Sequence, residues 1–153
     1  MRVGIGSDHA GYGYKAALIE MLKELGHEAR DFGTDSEEAV DYPDYVRPVA
    51  DAVARGELER GIVLGGSGNG EAMVANKVRG IRCAVCWDAT TARLAREHND
   101  ANVVAIGQWV VALETAKEIV RIFLSAGFEG GRHERRLAKM KAMECQEASH
   151  VNG

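Results

Sequence analysis

Short runs of β-branched residues alternate along the chain with longer stretches in which apolar residues recur every three or four positions. The runs at 2–7, 28–32, 61–65, 82–87 and 103–106 predict five strands. Between them Leu18, Met21, Leu22 and Leu25 repeat at i, i+3, i+4 and i+7, and Ala116, Ile119, Val120, Phe123 and Leu124 repeat in the same way. Each set predicts a helix stripe that faces a core. Gly26 supplies a C-cap for the first helix, and Pro43 suits the first turn of the second. A last helix, from about 132 to 148, is rich in charge and packs on the body or on a partner. Strands alternating with helices predict an α/β protein with a parallel sheet covered on both faces. Ligands of such sheets gather beyond the carboxyl ends of the strands, where loops converge. That rule puts Ser7, Asp8 and His9, the segment 65–71, Asp88 and the segment 107–109 around one crevice.

Composition narrows the class of protein. The 153 residues suit one domain spanning 1–153, and with 46% hydrophobic and 27% charged residues the chain has an ordinary globular balance that can bury a core. No apolar run approaches the roughly 18 residues of a membrane span, and the N-terminus lacks a secretory signal, so a cytoplasmic protein is expected. A net charge of −4 gives no long-range pull on nucleic acid or an anionic membrane. Any anionic ligand must be held by a local cluster, and GGRHERRLAKMK at 130–141 is one. Cys83, Cys86 and Cys145 are odd in number and unevenly spaced, which predicts reduced thiols. The Cys83/Cys86 pair lies within an apolar, strand-like run, so both are expected as buried small hydrophobes rather than a redox pair. No second C-x-x-C or H-x-x-x-H completes a zinc set around them, and no metal is expected.

The glycine run LGGSGNGEAMVANK at 64–77 carries the most chemistry. It fails the dinucleotide fingerprint at Glu71, as the earlier run from Gly4 does at His9. It also fails the P-loop pattern, where Glu71 and Ala72 replace Lys and Ser or Thr. Without that lysine, nucleotide binding is disfavoured. What remains is a turn exposing several backbone N–H groups and the Ser67 hydroxyl, suited to a small oxyanion. A carboxylate beside it points to proton abstraction next to a carbonyl, with the loop holding the enolate or enediolate oxygen. The plainer alternative makes Glu71 a first-turn acid favoured by the helix dipole and the glycines a tight turn. From the loop alone both stand.

SDHAG at 7–11, DYP at 41–43, GGSGNGEAMVANK at 65–77, REHNDANV at 96–103 and GGRHERR at 130–136 together resemble ribose-5-phosphate isomerase type B, in order and over nearly the whole chain. The resemblance implies a three-layer α/β/α sandwich with a five-stranded, parallel, Rossmann-like sheet and a C-terminal helix. It implies interconversion of ribose 5-phosphate and ribulose 5-phosphate through an enediolate, with no metal or organic cofactor. A homodimer with active sites shared between chains is implied, with a tetramer as the larger alternative. Of the two subtypes, one places a catalytic cysteine just before the glycine loop, where this chain has Gly65; this chain resembles the other, whose base is the glutamate at Glu71. The resemblance assigns Ser67 and the amides of Gly66, Gly68, Asn69 and Gly70 to the enediolate oxygen. His98 and Asp8 are assigned to ring opening, Asn99 and Tyr42 to the sugar, and His9, Arg132 and Arg136 to the phosphate.

Residue by residue, plainer roles exist. His98 fits a helix-end histidine, Asp8 and His9 a turn, and Tyr42 a core residue with its hydroxyl at the surface. Arg132 and Arg136 fit a solvated helix, although cations near a helix start call for a compensating anion. His27, His133 and His150 are expected at the surface. Trp109 departs from the family pattern, which commonly has a further phosphate-binding arginine there. It directs attention to other aldose phosphates: allose 6-phosphate, galactose 6-phosphate or erythrose 4-phosphate. Outside catalysis, the same crevice would serve a sugar-phosphate-binding module.

Overall fold

The computed structural model describes residues 1–150, with side chains as far as residue 145. In chain order the elements are β1 (Arg2–Ser7), a single 3-10 turn (His9–Gly11), α1 (Tyr12–Glu24), β2 (Glu28–Asp31), α2 (Tyr42–Ala54), β3 (Arg60–Gly65), α3 (Asn69–Ala75), β4 (Cys83–Val85), α4 (Ala89–Glu97), β5 (Val103–Gly107), α5 (Leu113–Ser125) and α6 (Arg132–His150). All five strands run parallel in the order β2-β1-β3-β5-β4. The order reverses direction between β1 and β3, and the carboxyl ends of those two strands therefore open a crevice. Among the described residues no helix is long and apolar enough to cross a membrane.

Two cores lie on opposite faces of the sheet, giving the three-layer α/β/α sandwich. Strand side chains alternate between the faces. Val3, Ile5, Ile62, Leu64, Val104 and Ile106 meet α1, α4 and α5, while Val63, Val103 and Ala105 meet α2 and α3. The second face carries smaller residues because α2 approaches closely. A Cβ on Gly4 would come within 3.3 Å of Val49 Cγ1, and one on Gly6 within 2.6 Å of the Tyr45 carbonyl oxygen.

The helix stripes behave as the periodicity predicts, with one exception. Leu18, Met21 and Leu22 are buried, as is the whole α5 set, but Leu25 is 46% exposed. Its i+7 position coincides with the end of α1. There Gly26, at φ +79°, donates its N–H to Lys23 C=O and His27 donates to Leu22 C=O, a Schellman closure that turns the chain away from the core. The fourth strand is shorter than 82–87, covering only Cys83–Val85 at the sheet edge. Cys86 is buried and its thiol is pushed up to about 12 by desolvation; Cys83, expected buried as well, is only half-buried on the edge strand, although desolvation raises its thiol too. Neither supplies a thiolate at neutral pH. Described α6 residues join neither core cluster, although Gly80 N–H donates to Glu144 and Arg79 to Cys145 Sγ.

Candidate active site

Beyond β1 the chain enters the 3-10 turn through Asp8, whose Oδ1 accepts the N–H groups of Ala10 (2.9 Å) and Gly11 (3.1 Å). That cap fixes the carboxylate and leaves Oδ2 without a protein donor among these bonds. His9 follows, and its Nδ1 accepts the Val40 N–H at 3.2 Å. Holding Nδ1 as acceptor makes Nε2 the protonated nitrogen of the neutral ring, a donor for an anion.

The loop after β3 is pinned against β5. Gln108 donates its N–H to Gly65 C=O (2.8 Å) and Trp109 to Gly66 C=O (3.0 Å). A Cβ on Gly107 would come within 2.6 Å of Ser67 main-chain atoms. Gly68, at φ +82°, takes the left-handed conformation that starts α3. Ser67 is exposed, and its Oγ accepts the Asn69 N–H at 3.2 Å, which leaves the hydroxyl proton to be donated outward.

Glu71 turns inward from α3 and is only 3% exposed. Its carboxylate occupies the space a side chain at residue 65 would need, since a Cβ there would overlap Glu71 Oε1. Desolvation pushes its pKa up, and the charge of nearby Asp8 pushes the same way; the backbone N–H groups of Glu71 and Gly68 pull down without reversing the shift. A raised carboxyl in a cleft beside a second carboxylate, with main-chain donors at hand, has the make-up of a general base. Two aromatic walls complete this end. The Tyr42 ring lies over Gly70, where a Cβ would be 2.7 Å from Cζ, and the Trp109 indole lies over Gly66, where a Cβ would be 2.5 Å from Cε3. Trp109 is 78% exposed and presents its other face to solvent.

The remaining residues singled out in the sequence lie elsewhere. β4 ends on the carboxyl side of the sheet and α4 runs back, so His98, its C-cap, and Asn99 sit at the amino ends of the strands. Asn99 C=O accepts from Arg82 Nε just before β4, and Gly61 N–H, at the start of β3, donates to Asn102 C=O nearby. Arg132 and Arg136 begin α6 at that same end, because Glu129 N–H donates to Glu97 C=O. About 15 Å of strand separates this group from Glu71. One chain thus gathers Asp8, His9, Tyr42, Glu71, Ser67, Gly66, Gly68, Asn69 and Gly70, but not His98, Asn99, Arg132 or Arg136.

His133 is a correction. It is 5% exposed rather than at the surface, and its ring stacks on His98 with centroids 4.2 Å apart. Burial is the main cause of its lowered pKa. His27 is half-buried beside the N-terminus, and the side chain of His150 lies outside those described. Gly65, where the resemblance puts a cysteine in the other subtype, acts here by lacking a side chain, and two glycines at a strand end followed by an acid six positions on from the first are the trace of that role in the sequence.

The sequence profile of the ribose/galactose isomerase family matches residues 3–140. Ribose-5-phosphate isomerase B of Escherichia coli is 46% identical over 143 residues, covering 94% of this chain and 96% of that protein. The enzyme of that name from Mycobacterium tuberculosis is 45% identical over 156 residues, covering 100% and 96%. Among solved structures, ribose-5-phosphate isomerase B of Clostridium thermocellum superposes with a TM-score of 0.95 at 50% identity, over 96% of this chain and 99% of that one. The Mycoplasma genitalium enzyme, solved with bound ribulose 5-phosphate, superposes at 0.90 with 39% identity over 94% and 95%. With a buried carboxylate closing a glycine loop at the switch point of the sheet, and a profile matched over most of its length, the chain belongs to the ribose/galactose isomerase family.

Proposed function

We propose that this protein is a cytoplasmic ribose-5-phosphate isomerase, one domain per chain, working as a homodimer or a dimer-based tetramer with shared active sites. The carrying observation is the Glu71 carboxylate, buried against Gly65 with its pKa raised and the loop amides beside it. Glu71 removes the C2 proton of the open-chain aldose and returns it to C1 while the O2 hydroxyl proton passes to O1, giving the ketose. The charge that develops on oxygen meets the Ser67 hydroxyl and the N–H groups of 66–70. Asp8 Oδ2 accepts from a sugar hydroxyl, and Tyr42 and Trp109 wall the sugar. His9 Nε2–H donates to the phosphate. From the second chain come His98 for ring opening, Asn99 for the sugar, and Arg132 and Arg136 for the phosphate. Two guanidinium groups one helical turn apart suit a phosphate dianion. The drawn reaction uses only side chains and amides of the protein.

The test is a substrate panel. Comparing kcat/KM for ribose 5-phosphate, allose 6-phosphate, galactose 6-phosphate and erythrose 4-phosphate, we expect ribose 5-phosphate to lead. Trp109 favours a second reading, since an exposed indole stands at the position where the resemblance implies a further phosphate-binding arginine. A charged hydrogen bond contributes about 1.5–3 kcal/mol, so its loss can be offset by stacking on a different sugar. A clear lead for another aldose phosphate establishes that second reading. Tight binding with no turnover of any sugar makes the protein a binding module instead.

Gly65 gives a sharper check on geometry. Gly65→Ala places a Cβ where Glu71 Oε1 sits, so the carboxylate must move by about an ångström. Displacements of that size cost up to about 10²-fold in rate. The expected result is a kcat about tenfold to a hundredfold lower with KM little changed. An unaltered kcat places the reacting atoms away from this carboxylate.

A further inference from the structure

At the amino ends of the strands, His98, Glu129 and His133 form the one group of three or more metal-ligating side chains found among the described residues, their ligand atoms all within 4.8 Å of one another. Glu129 Oε2 lies 3.6 Å from His133 Nε2 and 4.0 Å from His98 Nε2. The backbone prepares the group. Glu129 N–H donates to Glu97 C=O, one residue before His98, and Arg96 Nε donates to Ala126 C=O, so the linker carrying Glu129 is fastened to the end of α4.

A second observation points to a ligand. His133 Nε2 is buried and has no hydrogen-bond partner, and at 3.6 Å from Glu129 the contact is too long to be one. An orphaned buried nitrogen aimed at a carboxylate is costly unless something satisfies both. We infer that His98, Glu129 and His133 form a binding site for a divalent transition ion of the zinc type. Two imidazoles and one carboxylate are a set zinc accepts, with a fourth position left to water.

The required adjustment is a turn of one imidazole, because near-parallel rings with centroids 4.2 Å apart do not aim their in-plane lone pairs at a common point. Bonds of about 2.0–2.1 Å to a tetrahedral ion bring ligand atoms to about 3.3 Å apart. The rings now lie at 17° to each other, so the less buried His98 ring must tilt towards Glu129. Burial lowers the His133 pKa and so favours the neutral form, the one that coordinates. Arg132 and Arg136 also face His133 and oppose a cation there, so affinity comes from the coordinate bonds rather than from the local field.

Occupation removes the His98 imidazole from sugar chemistry, so the ion inhibits turnover; this consequence rests on the role given to His98 above, whereas the site itself does not. Isothermal titration of the full-length protein with zinc is expected to show one ion per chain. Cobalt should give the intense visible bands of tetrahedral coordination, without the charge-transfer band that a cysteine ligand adds. Glu129→Gln keeps the backbone bond to Glu97 and is half-exposed, so fold and metal-free turnover should persist while affinity falls at least about tenfold. The zinc concentration that inhibits should rise by the same factor. No stoichiometric binding, a thiolate band, or equal affinity in Glu129→Gln overturns the site. Zinc bound there with turnover intact upholds the site and overturns the catalytic role of His98 instead.

Discussion

Replacing Glu71 with glutamine is expected to lower kcat by about 10²–10⁴ while sugar phosphate still binds, the loss that follows removal of a general base. Glutamine keeps the shape that fills the space beside Gly65, so loop geometry survives and the change isolates the proton-accepting function. Stability gives an independent control. The carboxyl pKa is raised by burial, so its favourable contribution to folding belongs to the protonated state and is lost as pH rises through the raised value. At neutral pH the buried charge therefore works against the fold, and the variant should melt no lower than the parent. The pH profile carries the same sign: kcat/KM of the parent should fall on the acid side around a pKa above the ordinary glutamate range. Residual activity of the variant should lack that limb. Turnover within a few-fold of the parent, with the acid limb in place, removes Glu71 from the reaction.

Much of this arrangement was readable in the chain because the physics is local. β-branched runs and the α5 stripe each state their own period, and Gly26 marks a left-handed closure that the hydrogen bonds reproduce. Leu25 shows the limit of periodicity. It keeps the i+7 spacing of a core residue, yet the helix ends beneath it, and the capping geometry decides its exposure. The glycine loop poses a different problem. Composition cannot separate a first-turn acid from a base, since both want a carboxylate at the same position; the depth of Glu71 and the missing side chain at Gly65 are what favour the base. His133 was hidden for a similar reason. It sits in a strongly polar segment with no apolar rhythm, and it is covered by a residue distant in sequence, His98, brought beside it by the linker tied to α4.

The separation of Glu71 from His98 within one chain leads to the second large effect. β5 and its neighbours hold the two residues at opposite ends of the sheet, so a site containing both must draw on two chains. Glu71→Gln and His98→Gln are each expected to be nearly inactive as pure proteins. Mixed by co-expression or by denaturation and refolding together, they form hybrid dimers in which one site carries both substitutions and the other carries neither. In a twofold assembly with random pairing, half of the dimers are hybrids with one intact site, so activity should return to roughly a quarter of the parent level. Against pure variants lowered about a hundredfold or more, that recovery is large. Residues acting in the same chain give no recovery, because every site then keeps one defect. Activity restored to the predicted level, with hybrids verified by a mass tag on one variant, ties the base of one chain to the imidazole of the other. Mixtures no more active than their components disprove the shared site and leave Glu71 to act without His98.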